Sequence, residues 1–199
     1  MLPRRGCYPQ GQSWRGGYPL VENSEGVWIS PANRNIESVI RPTLPVNGPQ
    51  QESLNIDALT GKSIRAIRCC DERGPATIWG ARTFDGNSLD WRYISERQLL
   101  NMVEQTVANA AFVLVFETND ASTWATCSAM ISRFLHMLWK AEALQGALPE
   151  EAFSVSVGLD KTMTPEDILD GIMRVEVKVA VECPAEFIVI TYEQQMAKT

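Results

Sequence analysis

Alternation of apolar and polar residues predicts a strand near the C-terminus. Over residues 174–182 every second residue is valine, and the residues between the valines are mostly charged. A period of two puts the valines on one face of a strand and leaves the other face to solvent. After Pro184, residues 187–192 (FIVITY) are mostly apolar at both odd and even positions. They predict a last strand that needs cover on both faces, although only a short polar tail follows it.

Two longer segments have the helical period of apolar residues. Ser95, with Gln98 three residues later, forms a capping box and predicts the start of the first helix. The second helix is predicted to begin near Asp120, and Gly146 is placed to end it. Each segment carries apolar residues three or four positions apart, so each helix has one face to bury.

Shorter segments complete the predicted order of elements. Apolar runs predict strands over residues 64–69, 76–84 and 152–158, and a strand-like run over 112–116. Thr164 and Pro165 predict the cap and first position of a short helix, and Gly171 predicts its end. Together the elements predict an α/β (α+β) fold, in which a mixed β-sheet is flanked by helices and an extended strand lies at the C-terminus.

Glycine and proline suggest how the chain is divided. Residues 1–62 hold most of the Gly and Pro and have weak periodicity, which predicts an irregular segment without a core of its own. Residues 63–185 hold the helices and strands and predict one α/β domain. Residues 186–199 follow as a C-terminal arm. We expect the first segment to lie across the domain or across another chain.

Composition and charge exclude several classes of function. The 199 residues are 45% hydrophobic and 21% charged, which is ordinary for a globular protein. A net charge of −6 argues against a broad nucleic-acid-binding surface, which needs to be basic. No apolar run reaches the length of a membrane span, so we expect no membrane insertion, and we expect no signal peptide. Five cysteines without C-x-x-C spacing are typical of a reducing compartment.

The residues that could carry chemistry predict no active site. The single histidine, His136, lies mid-helix among apolar residues, and no G-x-S-x-G elbow accompanies it. Cys69 and Cys70 are adjacent, so on a strand they point to opposite faces, and this favours two separate thiols over a shared zinc ion. The acidic pairs at 150–151 and 166–167 suit acid/base catalysis, but both follow a proline at a predicted helix start, where negative charge is stabilised. We expect no catalytic residue, no metal and no cofactor.

A set of motifs then occurs in a fixed order along the chain. These are GVWISPAN at 26–33, IWGARTF at 78–84, WRYISERQLLNMVEQ at 91–105, FETND at 116–120, TMTPEDILDG at 162–171 and CPAEFIVI at 183–190. In this order they resemble the C-terminal region of contractile tail sheath proteins, which form the sheaths of phage tails, R-type pyocins and extracellular contractile injection systems. The resemblance covers about residues 22–195.

The resemblance implies a structural role and no enzymatic activity. Such subunits stack as hexameric rings around an inner tube, and their extended arms pair as strands with the sheets of neighbouring subunits, so that contraction drives the tube. The implied partners are other sheath subunits, the inner tube protein, and baseplate and terminal cap proteins, without nucleic acid or membrane insertion. The implied place of assembly is the bacterial cytoplasm, as part of a phage tail or a released tail-like particle.

The resemblance also assigns residues to roles. It implies an inter-subunit arm formed by Phe187, Ile188, Val189, Ile190, Thr191, Tyr192 and Gln194. It implies structural motif positions at Trp28, Pro31, Asn33, Trp79, Gly80, Arg82, Trp91, Asn119, Trp139, Pro184 and Glu186. The exposed charge of the short helix suggests a contact with the tube through Glu166, Asp167 and Asp170.

Other interpretations stay open at this point. Family members usually have a larger part before the GVWISPAN motif, which suggests a truncated or minor sheath-like component without contractile activity. The sheath of a type VI secretion system is a second alternative. A small α/β ligand-binding protein or enzyme with the same order of elements is a third, and it predicts a monomer that a ligand stabilises. Assembly instead predicts oligomers that depend on the last strand.

Overall fold

The computed structural model describes residues 25–30, 32, 34–36, 39, 41–55, 57, 59–70, 74–85, 91–181 and 187–195, with the backbone alone at 55, 70, 74–75 and 187–195. The chain divides into two compact units, Met1–Leu99 and Leu100–Thr199. The three parts predicted from the sequence, with boundaries after residues 62 and 185, stay a prediction.

The first unit is built around a two-stranded antiparallel sheet. Strand β1 (Ala66–Cys70) pairs with β2 (Gly74–Trp79), with an irregularity in the register between Arg68 and Cys70. Residues from both strands are buried, among them Ala66, Ile67, Ala76 and Ile78. The strand predicted over 76–84 is shorter than expected because Gly80, at a φ of 103°, ends β2.

One helix of the first unit is not predicted by the sequence patterns. Helix α1 (Gly48–Asn55) begins after Asn47, whose side chain accepts a hydrogen bond from the backbone of Gln50 at 2.9 Å. The side chain of Gln50 accepts in return from the backbone of Asn47 at 3.1 Å. This reciprocal pair is a capping box, and it gives a helical start within a segment that its glycine and proline content predicts to be irregular.

Most of the helices lie in the second unit. Helix α2 (Ile94–Phe112) begins before the unit boundary and is followed by α3 (Ala121–Lys140) and the short α4 (Pro149–Ala152). Ser95, predicted to cap α2, lies inside its first turn, two residues after the cap position, because the helix already begins at Ile94. Helix α3 begins beside Asp120, as predicted, and Asp120 caps it by accepting hydrogen bonds from Ser122 and Thr123.

Two predictions about the ends of these helices are wrong. Residues 113–116 form turns instead of a strand, because the backbone N–H of Val113 still donates to Asn109 and that of Leu114 to Ala111. Helix α3 ends at Lys140, well before Gly146. Its end is a Schellman motif, in which Glu142 has a φ of 59° and the N–H of Ala143 donates to the carbonyl of Leu138 at 3.0 Å.

The sheet of the second unit has three antiparallel strands. Strand β3 (Phe153–Val157) and strand β5 (Phe187–Gln195) flank β4 (Ile172–Ala180), and the short helix α5 (Pro165–Leu169) precedes β4. Along β4 buried and half-buried residues alternate without a break, as the valine pattern predicts. Helix α3 packs against β3 and buries Cys127, Ile131, Leu135 and Leu138.

The predicted fold class, α/β (α+β) with helices against a sheet, is confirmed. Among the described strands every ladder is antiparallel, and the strands form two separate sheets.

Candidate assembly surface

The last strand lies at the outer edge of its sheet. β5 pairs with β4 over nine residues, from Ile172 opposite Gln195 to Ala180 opposite Phe187. All seven residues of the predicted arm belong to this strand. Its other edge has no strand partner among the described residues. Such an edge presents a row of backbone N–H and C=O groups that a further chain can pair with.

The register assigns the positions of β5 to two sides of the sheet. Val175, Val177 and Val179 of β4 are fully buried, and they lie opposite Tyr192, Ile190 and Ile188. Lys178 and Glu176, on the other side, lie opposite Val189 and Thr191. Directly opposed residues of an antiparallel pair lie on the same face. The face of β4 that carries the valines is buried, and β5 extends the sheet beside that face.

Most of the segment that connects β4 to β5 is not among the described residues. Residues 182–186 lie outside the described residues, and with them the predicted motif positions Pro184 and Glu186.

Helix α5 is held against β4 by a carboxylate. Asp167 is buried, and its side chain accepts hydrogen bonds from the backbone N–H and the hydroxyl of Thr164, both at 2.9 Å. Arg174 on β4 forms an ion pair with it at 3.2 Å. The hydrogen bonds from Thr164, with a contribution from Arg174, hold the pKa of Asp167 below its usual value.

These contacts concern one of the three residues of the predicted tube contact. The carboxylate of Asp167 accepts its hydrogen bonds within the fold and helps to cap α5. Glu166 and Asp170 are exposed. The contact of Glu166, Asp167 and Asp170 with a tube stays a prediction.

Asn119 joins the turn after α2 to the sheet. Its side-chain oxygen accepts a hydrogen bond from the indole N–H of Trp124 at 2.7 Å, and its side-chain nitrogen donates to the carbonyl of Ile172 at 3.3 Å. At the other end of α3 the indole N–H of Trp139 donates to the carbonyl of Gly146 at 2.9 Å. Both predicted motif residues thus fix the ends of α3 through side-chain hydrogen bonds.

The motif residues of the first unit take part in cation–π pairs. The guanidinium of Arg68 lies 4.8 Å from the ring centroid of Trp79, and that of Arg97 lies 4.4 Å from the ring of Trp91. Arg82 lies 5.9 Å from the ring of Tyr93. The pair of Arg68 and Trp79 links β1 to β2. The pair of Arg97 and Trp91 links α2 to the segment that precedes it.

The GVWISPAN segment is described only in part. Pro31 and Asn33 lie outside the described residues. Trp28 is half-buried, and its ring lies so close to Gly26 that a Cβ there would come within 2.6 Å of it. Gly26 also has a φ of 109°. The backbone conformation of Gly26 favours glycine, and a Cβ there would also require the ring of Trp28 to shift.

The described residues include several whose types could bind a metal or react. Among them, no group of three or more His, Cys, Asp or Glu side chains is placed to hold a metal ion. His136 is half-buried and lies 5.5 Å from the ring of Trp139. Burial raises the pKa of the Cys127 thiol to about 11. In the part of the chain that the structure describes, no helix has the length and apolar character to cross a membrane.

Comparison with solved structures identifies the family. The sheath complex of an extracellular contractile injection system, PVC, in its contracted state matches with 38% identity and a TM-score of 0.79, covering 90% of this chain and 49% of that one. The contracted helical sheath of the anti-feeding prophage matches with 36% identity and a TM-score of 0.75, covering 90% of this chain and 48% of that one. This chain belongs to the contractile tail sheath protein family.

More distant sheath proteins share the fold alone. The sheath tail protein of Desulfitobacterium hafniense is 12% identical, with a TM-score of 0.61, and the match covers 85% of this chain and 37% of that one. No family model matches the chain, and neither does any curated protein. This sheath protein spans about half the length of the PVC and anti-feeding prophage sheath proteins.

The structure of the sheath protein also reveals exposed apolar residues that the sequence does not single out. Phe112, Val113 and Phe116 are exposed in the second unit, and Leu59 and Phe84 are exposed in the first. The sequence feature that could have indicated the exposed residues of the second unit is the apolar run at 112–116. Its periodicity alone predicts a strand.

Proposed function

We propose that this chain is a structural subunit of a contractile sheath, which polymerises as stacked rings around an inner tube and drives that tube by contraction. The support is its membership of the sheath family, with 38% identity over 90% of the chain to a contracted sheath complex. The role is mechanical and needs no catalytic residue, cofactor or nucleotide. The proposed partners are other sheath subunits, an inner tube protein, and baseplate and terminal cap proteins.

The observation that carries the proposal for this chain is the nine-residue register between β4 and β5. β5 is the last and outermost strand of its sheet, and its hydrogen bonds to β4 are formed by backbone groups. The same ladder forms whether β5 belongs to its own chain or to a neighbouring copy. Exchange of an identical element between copies costs little, because the ladder has the same hydrogen bonds in both arrangements.

Strand exchange would give the sheath links that persist while subunits move. During contraction the subunits rotate and slide, and the shared ladders keep each subunit attached to its neighbours. The driving free energy would come from greater burial of surface between subunits in the contracted state, since a conformational change requires a difference in interaction free energy between two states. Glu166 and Asp170 are exposed and acidic, and they would meet a basic tube surface.

A reversible lock on β5 tests this proposal. Lys178→Cys and Val189→Cys, in a Cys69→Ser background, replace two directly opposed residues of β4 and β5. Opposed Cα atoms in an antiparallel pair are about 4.5–5.5 Å apart, which lies within the range of disulfides. We call this chain the locked variant. Oxidation ties β5 to its own chain, and reduction releases it.

Electron microscopy of the locked variant, alone and mixed with a full-length sheath protein, gives the readout. We expect rings, tubes or co-assembly in the reduced sample and none after oxidation. The Cys69→Ser chain without the other two changes is the matched control and should assemble under both conditions. Equal assembly of the oxidised and reduced locked variant would contradict strand exchange.

A further inference from the structure

The buried face of the β4–β5 ladder does not determine a single register. Along β4 valine occupies every second position from 175 to 181, and Ile188, Ile190 and Tyr192 of β5 lie on the same face. If β5 moved by two residues, these three residues would still lie opposite valines or Met173, because side chains alternate with a period of two. Burial therefore excludes a shift by one residue but distinguishes only weakly between registers two residues apart.

The other face of the ladder carries charges of alternating sign. Arg174, Glu176 and Lys178 follow one another on this face of β4. Glu176 and Lys178 form an ion pair at 3.5 Å. Strand β5 contains one charged residue, Glu193, and the register places it opposite Arg174. Directly opposed unlike charges stabilise an antiparallel pair, and like charges destabilise it.

The charges distinguish the registers that burial leaves nearly equivalent. In one direction, a shift by two residues places Glu193 opposite Glu176, which brings like charges together. In the other direction it places Glu193 opposite Ile172, which has no charge. Among these three registers, the observed one is the register in which Glu193 lies opposite a cation.

Arg174 is held in position from the side of α5. Its guanidinium contacts both carboxylate oxygens of Asp167, at 3.2 Å and 3.4 Å, and the hydroxyl of Thr162 donates to its backbone carbonyl at 2.7 Å. Because Asp167 shares the positive charge of Arg174, the attraction of Glu193 to Arg174 is weaker than to an unshared guanidinium. The like charge of Glu176 acts in the same direction, since it opposes the shifted register.

We propose that the charge of Glu193, set against Arg174 and Glu176, selects the register of β5. This selection has its largest effect where another copy supplies the strand, since no connecting segment then limits the register. A shift of two residues would displace the supplied strand by about 7 Å, because a strand rises by about 3.4 Å per residue. Copies linked in one register would be equally spaced, and only this consequence rests on the proposed function.

Disulfide links at chosen positions report the register. Ala180 lies opposite Phe187, whereas the shifted register that brings like charges together would place Val189 opposite Ala180. Ala180→Cys with Phe187→Cys is the in-register pair, and Ala180→Cys with Val189→Cys is the shifted pair. Each pair is introduced into a full chain whose only native cysteine is Cys127. Opposed positions lie within the range of a disulfide, and diagonal positions, roughly 7–8 Å apart, lie beyond it.

The ratio of shifted to in-register links is the readout. Both chains are equilibrated in a glutathione buffer, and non-reducing electrophoresis measures the linked fraction of each, within one chain or between two. With Glu193 present, the in-register link should dominate.

Charge variants at position 193 should change this ratio in a graded way. Glu193→Lys places a cation opposite Arg174 in the observed register and opposite Glu176 in the shifted one, so it should raise the ratio by about tenfold. Glu193→Gln should give an intermediate ratio. Adding Glu176→Gln to Glu193→Lys removes the attraction in the shifted register, and the ratio should fall again.

Gln195→Lys is the matched control. It also adds a cation to β5, but the shifted register would bring this cation opposite Arg174. The ratio should therefore not rise.

The links also separate this inference from strand exchange. Links that form only within single chains, with a ratio that follows the charge at position 193, would contradict strand exchange and support register selection. Links between chains with the same ratio for Glu, Gln and Lys at this position would overturn register selection and leave strand exchange standing. Loss of both links in Glu193→Lys would also overturn it, because the charge would then act on the stability of the ladder and not on its register.

Discussion

Lys178 in β4 lies directly opposite Val189 in β5, within the nine-residue ladder that joins the two strands. Strand β5 lies at an edge of its sheet, and backbone hydrogen bonds hold it to its partner strand β4. A strand held in this way can be supplied by the same chain or by another copy. The register therefore determines which residues would meet across a subunit boundary, and it can be tested by chemistry at named positions.

The end of α3 predicts a stabilising substitution. Glu142 occupies the left-handed position of a Schellman motif with a φ of 59°, and its N–H donates to the carbonyl of Trp139 at 3.0 Å. A residue with a Cβ costs about 1–2 kcal/mol in this conformation, which glycine adopts freely. Glu142→Gly should therefore raise the free energy of unfolding by about 1 kcal/mol. Denaturant unfolding measures it, with Glu142→Ala as a control that should not be stabilised.

Gly146 predicts a destabilising substitution. It has a φ of 139°, and a Cβ at this position would lie 2.8 Å from the backbone nitrogen of Ala152. Gly146→Ala should lower the free energy of unfolding by about 2 kcal/mol, because strain and a backbone clash add. Gly48→Ala is the control, since a Cβ there meets nothing within 4 Å. Equal stability of the two variants would mean that the turn after α3 differs from the one described.

Asp120 predicts a loss of stability in acid. Hydrogen bonds from the backbone of Thr123 and the hydroxyl of Thr118 hold its pKa below the usual value. A carboxylate with a lowered pKa in the folded state stabilises the fold above its unfolded pKa, near 4, and this contribution is lost as the pH falls. An asparagine in place of Asp120 would also accept the capping hydrogen bonds, but its side chain does not titrate.

The matched comparison is therefore wild type against Asp120→Asn. The wild-type chain should have the higher Tm at neutral pH, and the difference should shrink as the pH falls below about 4. Thermal unfolding followed by circular dichroism gives both curves. A difference in Tm that stays constant across this range would show that the charge of Asp120 does not stabilise the helix.

The cysteines predict a difference in reactivity. Cys127 is buried and burial raises the pKa of its thiol to about 11, whereas Cys69 is exposed. The thiolate is the reactive form, so Cys127 should resist alkylation in the folded chain while Cys69 is modified. Iodoacetamide labelling mapped by mass spectrometry checks this at neutral pH. Denaturation should make both residues equally reactive, and rapid native labelling of Cys127 would contradict its burial on the inner face of α3.

Helix α5 and strand β4 are predicted correctly from the sequence because each is determined by a few neighbouring residues. Thr164, Pro165 and Gly171 define α5 by a cap, a first position and a left-handed end, and all three are confirmed. The alternation along β4 is confirmed because one face of that strand is buried and the other is partly in solvent. These elements depend on a few neighbouring residues, which the sequence displays directly.

The elements for which the sequence prediction is wrong depend on longer-range contacts. Residues 112–116 have the composition of a strand, but α2 continues into them and Leu114 alone turns inward. Gly146 suggests the end of α3 because glycine favours helix ends, yet Glu142 takes the left-handed position. Asp167 is buried, although the sequence suggests exposed charge on this helix, and its carboxylate contacts both Arg174 and Thr164. No periodicity in the sequence records these pairings.

Disulfide trapping between two copies tests strand exchange most directly. One copy carries Lys178→Cys and the other carries Val189→Cys, both in the Cys69→Ser background, so that neither chain can form the link alone. We expect a disulfide-linked dimer of the two different copies after mild oxidation. Ile190→Cys in place of Val189→Cys moves the thiol to the other side of the sheet and should not form the link. No mixed dimer, while a single chain with both cysteines closes its own disulfide, would contradict the account.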